Sequence, residues 1–166
     1  LVMPAGELRA LFHFPAQYLR YTRDPHGTEL VHSAEVLLGL IDELGQAAGD
    51  CDDQSVLLGA LAASIGFPVA VRIVGRQAGA FSHVHLRIKV RGRWVPCDLT
   101  AFPRRPLGYE PRAPHARVWL LDGKEVTGME TYTTQLEGMD GPAEMTEGEI
   151  AYRVGELGYS TYEITP

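Results

Sequence analysis

The chain has 166 residues, of which 45% are hydrophobic and 22% charged, a composition that suits one compact domain with a hydrophobic core. Its 2 cysteines are too few for a disulfide-stabilised secreted scaffold and favour a reducing, cytoplasmic setting. A formal charge of −6, apolar runs well short of the roughly 18 residues that span a bilayer, and the lack of a nucleic-acid motif argue against membrane and nucleic-acid partners.

Two helices are predicted before residue 46. The first rests on apolar residues at helical spacing, namely Leu8, Leu11, Phe12, Ala16 and Leu19. Pro15 lies inside this segment, and we expect it to break or kink the helix. The second helix covers residues 31–44, with Ser33 as its N-cap and Gly45 just past its end.

The third predicted helix carries the first candidate for chemistry. Cys51 follows a Gly-Asp pair and precedes an apolar stripe that ends at Gly66, so it lies in the first turn of a buried helix. Backbone N–H groups and the positive end of the helix dipole are expected to lower the thiol pKa there. Asp52 and Asp53 oppose a thiolate, so the cysteine needs an imidazolium partner. The alternative is a cysteine that only packs the helix.

Strands are predicted from residue 69 onward. Residues 69–74 are apolar and β-branched, and a turn at 77–80 leads into a strand with strict alternation. The apolar positions of that strand should face the core. Its other face carries His83, His85, Arg87 and Lys89. We expect the basic residues, with Arg91 and Arg93 after them, to form a solvated outer face and not a site for an acidic ligand.

A hairpin is predicted to join this strand to residues 94–98. If a two-residue turn at 91–92 connects them, Asp98 faces His85 directly and His83 diagonally. Both imidazoles then lie within side-chain reach of the carboxylate. The alternation does not choose between the two histidines.

These residues together resemble the transglutaminase-like superfamily of cysteine enzymes. The likeness is carried, in order, by residues 49–53 (Gly-Asp-Cys-Asp-Asp), His83 and residues 94–100 (Trp-Val-Pro-Cys-Asp-Leu-Thr). The resemblance implies an α+β fold with a papain-like core, in which the helix that bears the nucleophile packs on an antiparallel sheet. The chain also looks like short bacterial members encoded in prophage clusters.

The resemblance also implies roles for the candidate catalytic residues. Cys51 falls on the nucleophile, His83 on the histidine and Asp98 on the carboxylate of a triad, while His85 stands where relatives carry an aromatic residue. The implied reaction is attack by Cys51 on an amide carbonyl, through a thioester, in a peptidase, amidase or acyltransferase that acts on a protein or peptide. No cofactor is expected.

The sequence indicates one of the two hydrogen-bond donors expected for the oxyanion. The backbone N–H of Cys51 is the expected first donor, since it lies at a helix start. Gln46 is a candidate for the second donor, but we expect it to be a surface residue of the preceding loop.

Two metal sites compete with this interpretation. Zinc could be bound by a set of four side chains, Cys51, His83, His85 and Cys97. Cys97 and Asp98 point to opposite faces of their strand, so such a site would forfeit the Asp98 geometry and we do not favour it. Calcium could be held by Asp50, Asp52 and Asp53, as in some relatives, although carboxylates at a helix start are more often caps.

The remaining sequence gives weaker signals. Residues 1–114 carry a net charge of +1 (12 Lys and Arg against 11 Asp and Glu), and residues 115–166 carry −7 (3 against 10). We expect residues 1–110 to form the catalytic core and residues 111–166 an acidic extension that packs on the core or contacts a partner. The rival function is a non-catalytic binding or assembly module of a phage or prophage particle. The histidines expected at the surface or in turns, with no partner, are His13, His26, His32 and His115.

Overall fold

The computed structural model of the protein describes residues 4–28 and 30–126. The helices are α1 (Pro4–Tyr18), α2 (Ala34–Leu44) and α3 (Cys51–Ser64). The strands are β1 (Leu19–Tyr21), β2 (Ala47–Gly49), β3 (Val69–Gly75), β4 (His83–Val90), β5 (Arg93–Cys97) and β6 (His115–Leu120). Within these residues, no helix has the length and apolar character that crossing a membrane requires.

Helix α3 packs on a four-stranded antiparallel sheet with the strand order β5-β4-β3-β6. Leu58 and Ala62 of α3 share a buried cluster with Leu86 and other residues of β4. Gly59 permits the close approach, since a Cβ at this position would lie 3.3 Å from a methyl group of Leu86. The α+β fold expected from the sequence, with the Cys51 helix on an antiparallel sheet, is therefore confirmed.

The short strands β1 and β2 pair in parallel and connect the end of α1 to the start of α3. Tyr21 stands opposite Gly49, two residues before Cys51. The N–H of Thr22 donates to the Gly49 carbonyl at 2.9 Å and extends the pairing. This contact fixes Tyr21 beside the first turn of α3.

The local sequence predicted the ends of α2 correctly, but it did not predict the course of α1 at Pro15. The Ser33 hydroxyl accepts from the backbone of α2, and Gly45 adopts a φ of 76°, so both predicted caps are confirmed. Of the break or kink expected at Pro15, the break is wrong, because α1 continues to Tyr18. Leu8 and Phe12 are fully buried, and their packing outweighs the hydrogen bond that the proline removes.

Strand β4 is buried on both faces. Seven of its eight positions are buried, and Arg87 is 4% exposed. The solvated outer face expected for the basic residues is therefore wrong at Arg87, because the connection between β5 and β6 covers this face and supplies Glu110. Arg91 and Arg93, in and after the turn, are exposed.

Strand β6 comes from the segment predicted to be an extension, yet it is part of the sheet. It pairs with β3 over six residues, from Ala70 opposite Leu120 to Gly75 opposite His115. Residues 115–120 thus belong to the same core as β3. The division at residue 110 stays a prediction, and the acidic stretch from residue 127 onward lies outside the described residues.

Gly49 offers a test of how tightly the start of α3 is packed. A Cβ at Gly49 would lie 2.6 Å from Cγ of Asp53, whose carboxylate accepts from the N–H of Asp50. We expect Gly49→Ala to lower the free energy of unfolding by about 1–3 kcal/mol in urea denaturation. The control Gly39→Ala, on an exposed position of α2 where a Cβ meets nothing within 4 Å, should raise it by about 0.5–1 kcal/mol. Equal effects of the two changes would contradict this account.

Candidate active site

His83 and Asp98 form a buried pair across the β4–β5 hairpin. A two-residue turn at 91–92, with both residues at positive φ, pairs Val90 with Arg93. This is the register in which Asp98 lies diagonally opposite His83, and it is confirmed. His83 Nε2 lies 2.9 Å from Asp98 Oδ2, so the carboxylate contacts this histidine.

The surroundings of Asp98 keep it ionised. Burial alone would raise the pKa of this carboxyl, but His83 and Thr100 hold it well below its usual range. Thr100 donates to Oδ1 from its backbone N–H at 3.0 Å and from its hydroxyl at 2.6 Å. Because a carboxylate only accepts hydrogen bonds, Nε2–H of His83 must donate to it. Nδ1 is then the ring nitrogen that carries the lone pair while His83 is neutral.

Cys51 opens α3 as predicted, but its surroundings differ from the expected ones. The thiol is fully buried and packs with Ile73, Phe81 and Val84. Burial raises the pKa of the Cys51 thiol well above its usual value, and nearby carboxylates add to this, while the Val84 backbone N–H that faces the sulfur opposes it. The expected lowering of the thiol pKa is therefore wrong, because desolvation and negative charge outweigh the helix dipole. The Val84 contact still puts the sulfur beside the residue that follows His83.

Asp50 and Asp53 cap α3, as expected for carboxylates at a helix start. Asp50 Oδ1 accepts from the N–H of Asp52 at 3.2 Å, and Asp53 Oδ2 accepts from the N–H of Asp50 at 3.3 Å.

The expectation that His32 has no partner is wrong. The backbone N–H of His32 donates to Asp53 Oδ1 at 2.8 Å, and the ring Nδ1 of His32 lies 3.1 Å from the same oxygen. No local pattern signals this contact, because 21 positions separate the two residues.

The carboxyls of Asp50 and Asp52 have unsatisfied oxygens. Asp50 Oδ2 and Asp52 Oδ1 are buried without a hydrogen-bond partner among residues 4–28 and 30–126. Burial, and then the neighbouring Asp50 carboxyl, raise the pKa of Asp52 to about 9. Burial also raises the pKa of Asp50. At neutral pH, the two carboxyls therefore share one proton.

The same carboxylates do not fit calcium as they are arranged. Oxygens of Asp50, Asp52 and Asp53 lie within 4.8 Å of one another. Calcium takes about six to eight oxygen ligands, whereas both oxygens of Asp53 already accept hydrogen bonds. We assign no ion to this cluster, and the expectation that no cofactor is needed stays a prediction.

The zinc set considered from the sequence is not assembled in the part of the chain that the structure describes. The group of possible metal ligands around His83 contains His85 and Asp98 but neither cysteine. Cys97 packs in the large core cluster, and Cys51 packs in a separate one. The geometry therefore gives no support to a zinc site that uses both thiols.

Tyr21 is a site residue that the sequence did not reveal. It packs on the cluster that contains Cys51. Burial, and then the neighbouring Cys51 and Asp50, raise the pKa of its hydroxyl, so it stays an uncharged hydrogen-bond donor. Gln46 is exposed in the loop before β2, as expected. The parallel pairing of β1 with β2 creates the Tyr21 contact, and no motif in the sequence encodes it.

The sequence also did not reveal Arg72 and Glu110, whose side chains are each 9% exposed. Glu110 contacts Arg72, His85 and Arg87 behind the His83–Asp98 pair. Burial lowers the pKa of His85 to about 4, so this ring is neutral at neutral pH. Strand alternation indicated which residues share this face, but Glu110 lies in an irregular connection with no signal of its own.

Comparison with solved structures gives a likeness of fold. A candidate protease from Parabacteroides distasonis superimposes on 76% of this chain with a TM-score of 0.54 and 15% sequence identity. The chain covers 24% of that protein. Calcium-bound LapG of Legionella pneumophila has a TM-score of 0.45 and 16% identity, over 78% of this chain and 75% of LapG. Neither a protein-family model nor a curated protein matches the sequence.

The proton shared by Asp50 and Asp52 predicts how stability depends on pH. The pKa of Asp52 rises from an ordinary 3.8 to about 9 on folding, so the folded state binds this proton more tightly than the unfolded state. Its stabilising contribution is therefore full below about pH 4 and is lost as the pH rises toward 9. We expect Asp52→Asn to raise the free energy of unfolding at pH 8 by about 1 kcal/mol and to flatten its pH dependence.

Urea denaturation at pH 5, 7 and 8.5 measures this effect. The control Asp42→Asn, at an exposed position of α2, should leave the pH dependence as it is in the wild type. An Asp52→Asn protein with the wild-type pH dependence would show that the two carboxyls do not share a proton.

Proposed function

We propose that the chain is a transglutaminase-like cysteine hydrolase that cleaves amide bonds in a protein or peptide, with Cys51, His83 and Asp98 as its catalytic residues. The main support is the buried His83–Asp98 bond of 2.9 Å, next to Val84, whose N–H faces the Cys51 sulfur. An imidazole held by an ionised carboxylate beside a thiol is the arrangement that catalysis by a cysteine nucleophile requires.

The proposed reaction begins with transfer of the Cys51 thiol proton to Nδ1 of His83. The sulfur bonds to the amide carbonyl carbon, and His83 then passes the proton to the nitrogen as the C–N bond breaks. This leaves a thioester on Cys51 and a free amine. Water attacks the thioester, giving one proton to His83, and the acid leaves as the thiol is restored. Attack by an amine in place of water would make the same site an acyltransferase.

Two donors are proposed for the oxyanion. The first is the backbone N–H of Cys51, which lies at the start of α3, where backbone N–H groups lack intrahelical acceptors. The second is the hydroxyl of Tyr21, which packs against the cluster of Cys51 and does not ionise. Gln46 is exposed and is not proposed for this role.

The likeness of fold to a candidate protease supports a peptidase over an amidase for small molecules. Hydrolysis is preferred to acyl transfer because the resemblance is to short bacterial members, which are expected to be peptidase-like. A protein or peptide is accordingly the proposed substrate class.

One observation favours the rival function, a non-catalytic binding or assembly module of a phage particle. The Cys51 thiol has no exposed surface, and burial raises its pKa. A substrate would have to displace side chains of the cluster, such as Phe81 in the segment before β4. The module would not require this displacement, so the two functions differ in their dependence on Cys51.

Removal of Cys51 distinguishes the enzyme from the module. We expect the wild type to cleave peptides in a complex tryptic digest, detected as new N termini by mass spectrometry. Cleavage should be lost in Cys51→Ala and fall by about 10²–10⁴-fold in His83→Ala, since a positioned acid–base contributes about that factor. The control Cys97→Ser should retain cleavage, because Cys97 lies in a separate core cluster.

Alkylation tests the same residues without a substrate. In Cys97→Ser protein, iodoacetamide can label only Cys51, and we expect the rate at pH 7 to fall by about 10²-fold in His83→Ala. A rate that is the same with and without His83, together with no cleavage by the wild type, would favour the binding module.

Tyr21→Phe tests the proposed oxyanion donor. It removes one hydroxyl and should lower kcat by about 10²-fold, or about 3 kcal/mol of transition-state stabilisation. KM should change little, because the bond to the oxyanion exists only in the transition state. Tyr18→Phe, at the end of α1 beside Phe14, is the matched control and should keep the wild-type kcat. A Tyr21→Phe enzyme with normal kcat would remove Tyr21 from the mechanism.

A further inference from the structure

Four buried side chains form a charged cluster on the sheet face that carries His83. Their side chains are at least nine-tenths buried, and we call them the rear cluster: Arg72, His85, Arg87 and Glu110. Arg72 of β3 stands opposite His85 of β4. Arg87 donates to both carboxylate oxygens of Glu110, at 2.5 and 2.7 Å. Such a paired geometry fixes the position of the carboxylate.

His85 connects the rear cluster to His83. The two imidazole rings are stacked, with centroids 5.6 Å apart and an angle of 24° between their planes. His85 Nε2 lies 3.4 Å from Arg72 Nη1 and 3.5 Å from Glu110 Oε1. Any charge on His85 would therefore be felt directly by His83.

Other charged or titratable groups of the proposed site come from the neighbouring elements. They are Asp98 after β5, Asp50, Cys51 and Asp52 at the start of α3, and Tyr21 on β1. Of these, Asp98 is ionised, Cys51 and Tyr21 are neutral, and Asp50 and Asp52 share a proton. The α3 carboxyls thus add negative charge near the site and favour one positive charge close by.

The charges of the rear cluster and Asp98 cancel. Arg72 and Arg87 contribute two positive charges, and Glu110 and Asp98 contribute two negative charges. Two protonated imidazoles would add two positive charges to a buried region, against only one negative charge on the Asp50–Asp52 pair, which is strongly unfavourable. The two rings differ in their nearest charged neighbours: the Asp98 carboxylate lies 2.9 Å from His83 and stabilises a positive ring there, whereas the Arg72 guanidinium, 3.4 Å from His85, opposes one.

We propose that the rear cluster determines which histidine takes up a proton in the site. It keeps His85 neutral, so that His83 alone takes up the proton from Cys51. Arg72 and Glu110 act through His85 and are positioning residues. The proposal deepens the proposed function and rests on His83 as the base. It also gives a physical role to the histidine that replaces the usual aromatic residue, because a neutral imidazole can stack on His83 and use Nε2 either to accept from Arg72 or to donate to Glu110.

The charge states of His83 and His85 can be measured by NMR on protein labelled with ¹³C and ¹⁵N at histidine. Their signals are assigned by their loss in His83→Gln and His85→Gln. In the wild type, we expect His85 to show the shifts of a neutral ring from pH 5 to 8. Glu110→Gln should lower the ratio of protonated to neutral His83 at pH 7 by roughly tenfold, and Arg72→Gln should raise it by roughly tenfold.

A purely structural role would not produce shifts of opposite sign. The double variant Arg87→Gln with Glu110→Gln removes both members of an ion pair and conserves the charge balance, so it should leave the His83 ratio at the wild-type value. It also provides a test if Glu110→Gln alone fails to fold, since it leaves no buried Arg87 unpaired. Arg117→Gln, which removes an exposed ion pair with Glu125, is the control and should change nothing.

Two outcomes would overturn the proposal. One is a protonated His85 in the wild type near neutral pH, and the other is a shift of the same sign, or no shift, in Glu110→Gln and Arg72→Gln. These readouts do not depend on turnover. If peptide cleavage fails but the NMR shifts appear as expected, the proposed function is wrong and the charge arrangement stands. If cleavage occurs without the shifts, the reverse holds.

Discussion

The site depends on the attachment of the first turn of α3 to β4 at Val84. Strand β5 pairs with β4 only as far as Leu86, and α3 takes up the backbone of Val84 beyond that point. The Val84 N–H faces the sulfur of Cys51, and the Ser55 hydroxyl donates to the Cys51 carbonyl at 2.7 Å and lies 3.5 Å from the Val84 carbonyl. Buried backbone groups must find partners, so satisfying Val84 also fixes the thiol beside the residue that follows His83.

This attachment buries the site among other side chains, and burial affects which groups can be charged. Burial disfavours every charge, and each ionised group in the site therefore has a specific partner. Asp98 is held by His83 and Thr100, and Glu110 by Arg87. The groups without such a partner remain neutral or share a proton, as Cys51 and the Asp50–Asp52 pair do. The pattern of partners determines which groups are charged.

The sequence was most informative where a short segment determines its own structure. The caps of α2, the start of α3 and the two-residue turn before β5 each depend on a few adjacent residues, and each was predicted. The contacts that the sequence did not predict join distant segments, such as His32 with Asp53 or Glu110 with Arg87. Burial was the other source of error. It reversed the expected shift of the Cys51 pKa, and it removed Arg87 from solvent. The burial of these two residues does not depend on local sequence pattern alone.

The buried, neutral thiol changes how the proposed catalysis would begin. A preformed thiolate would place a negative sulfur in a region where Asp98 is ionised and Asp50 and Asp52 share one negative charge. Before a substrate binds, the thiol should therefore keep its proton, and Nδ1 of His83 is the proposed acceptor of that proton. Under the proposed mechanism, proton transfer becomes favourable only as the sulfur bonds to the carbonyl carbon, when the negative charge moves to the oxygen that the Cys51 N–H and Tyr21 are proposed to bind. If this mechanism operates, the oxyanion donors, more than the helix dipole, would supply the driving force for ionisation of the thiol.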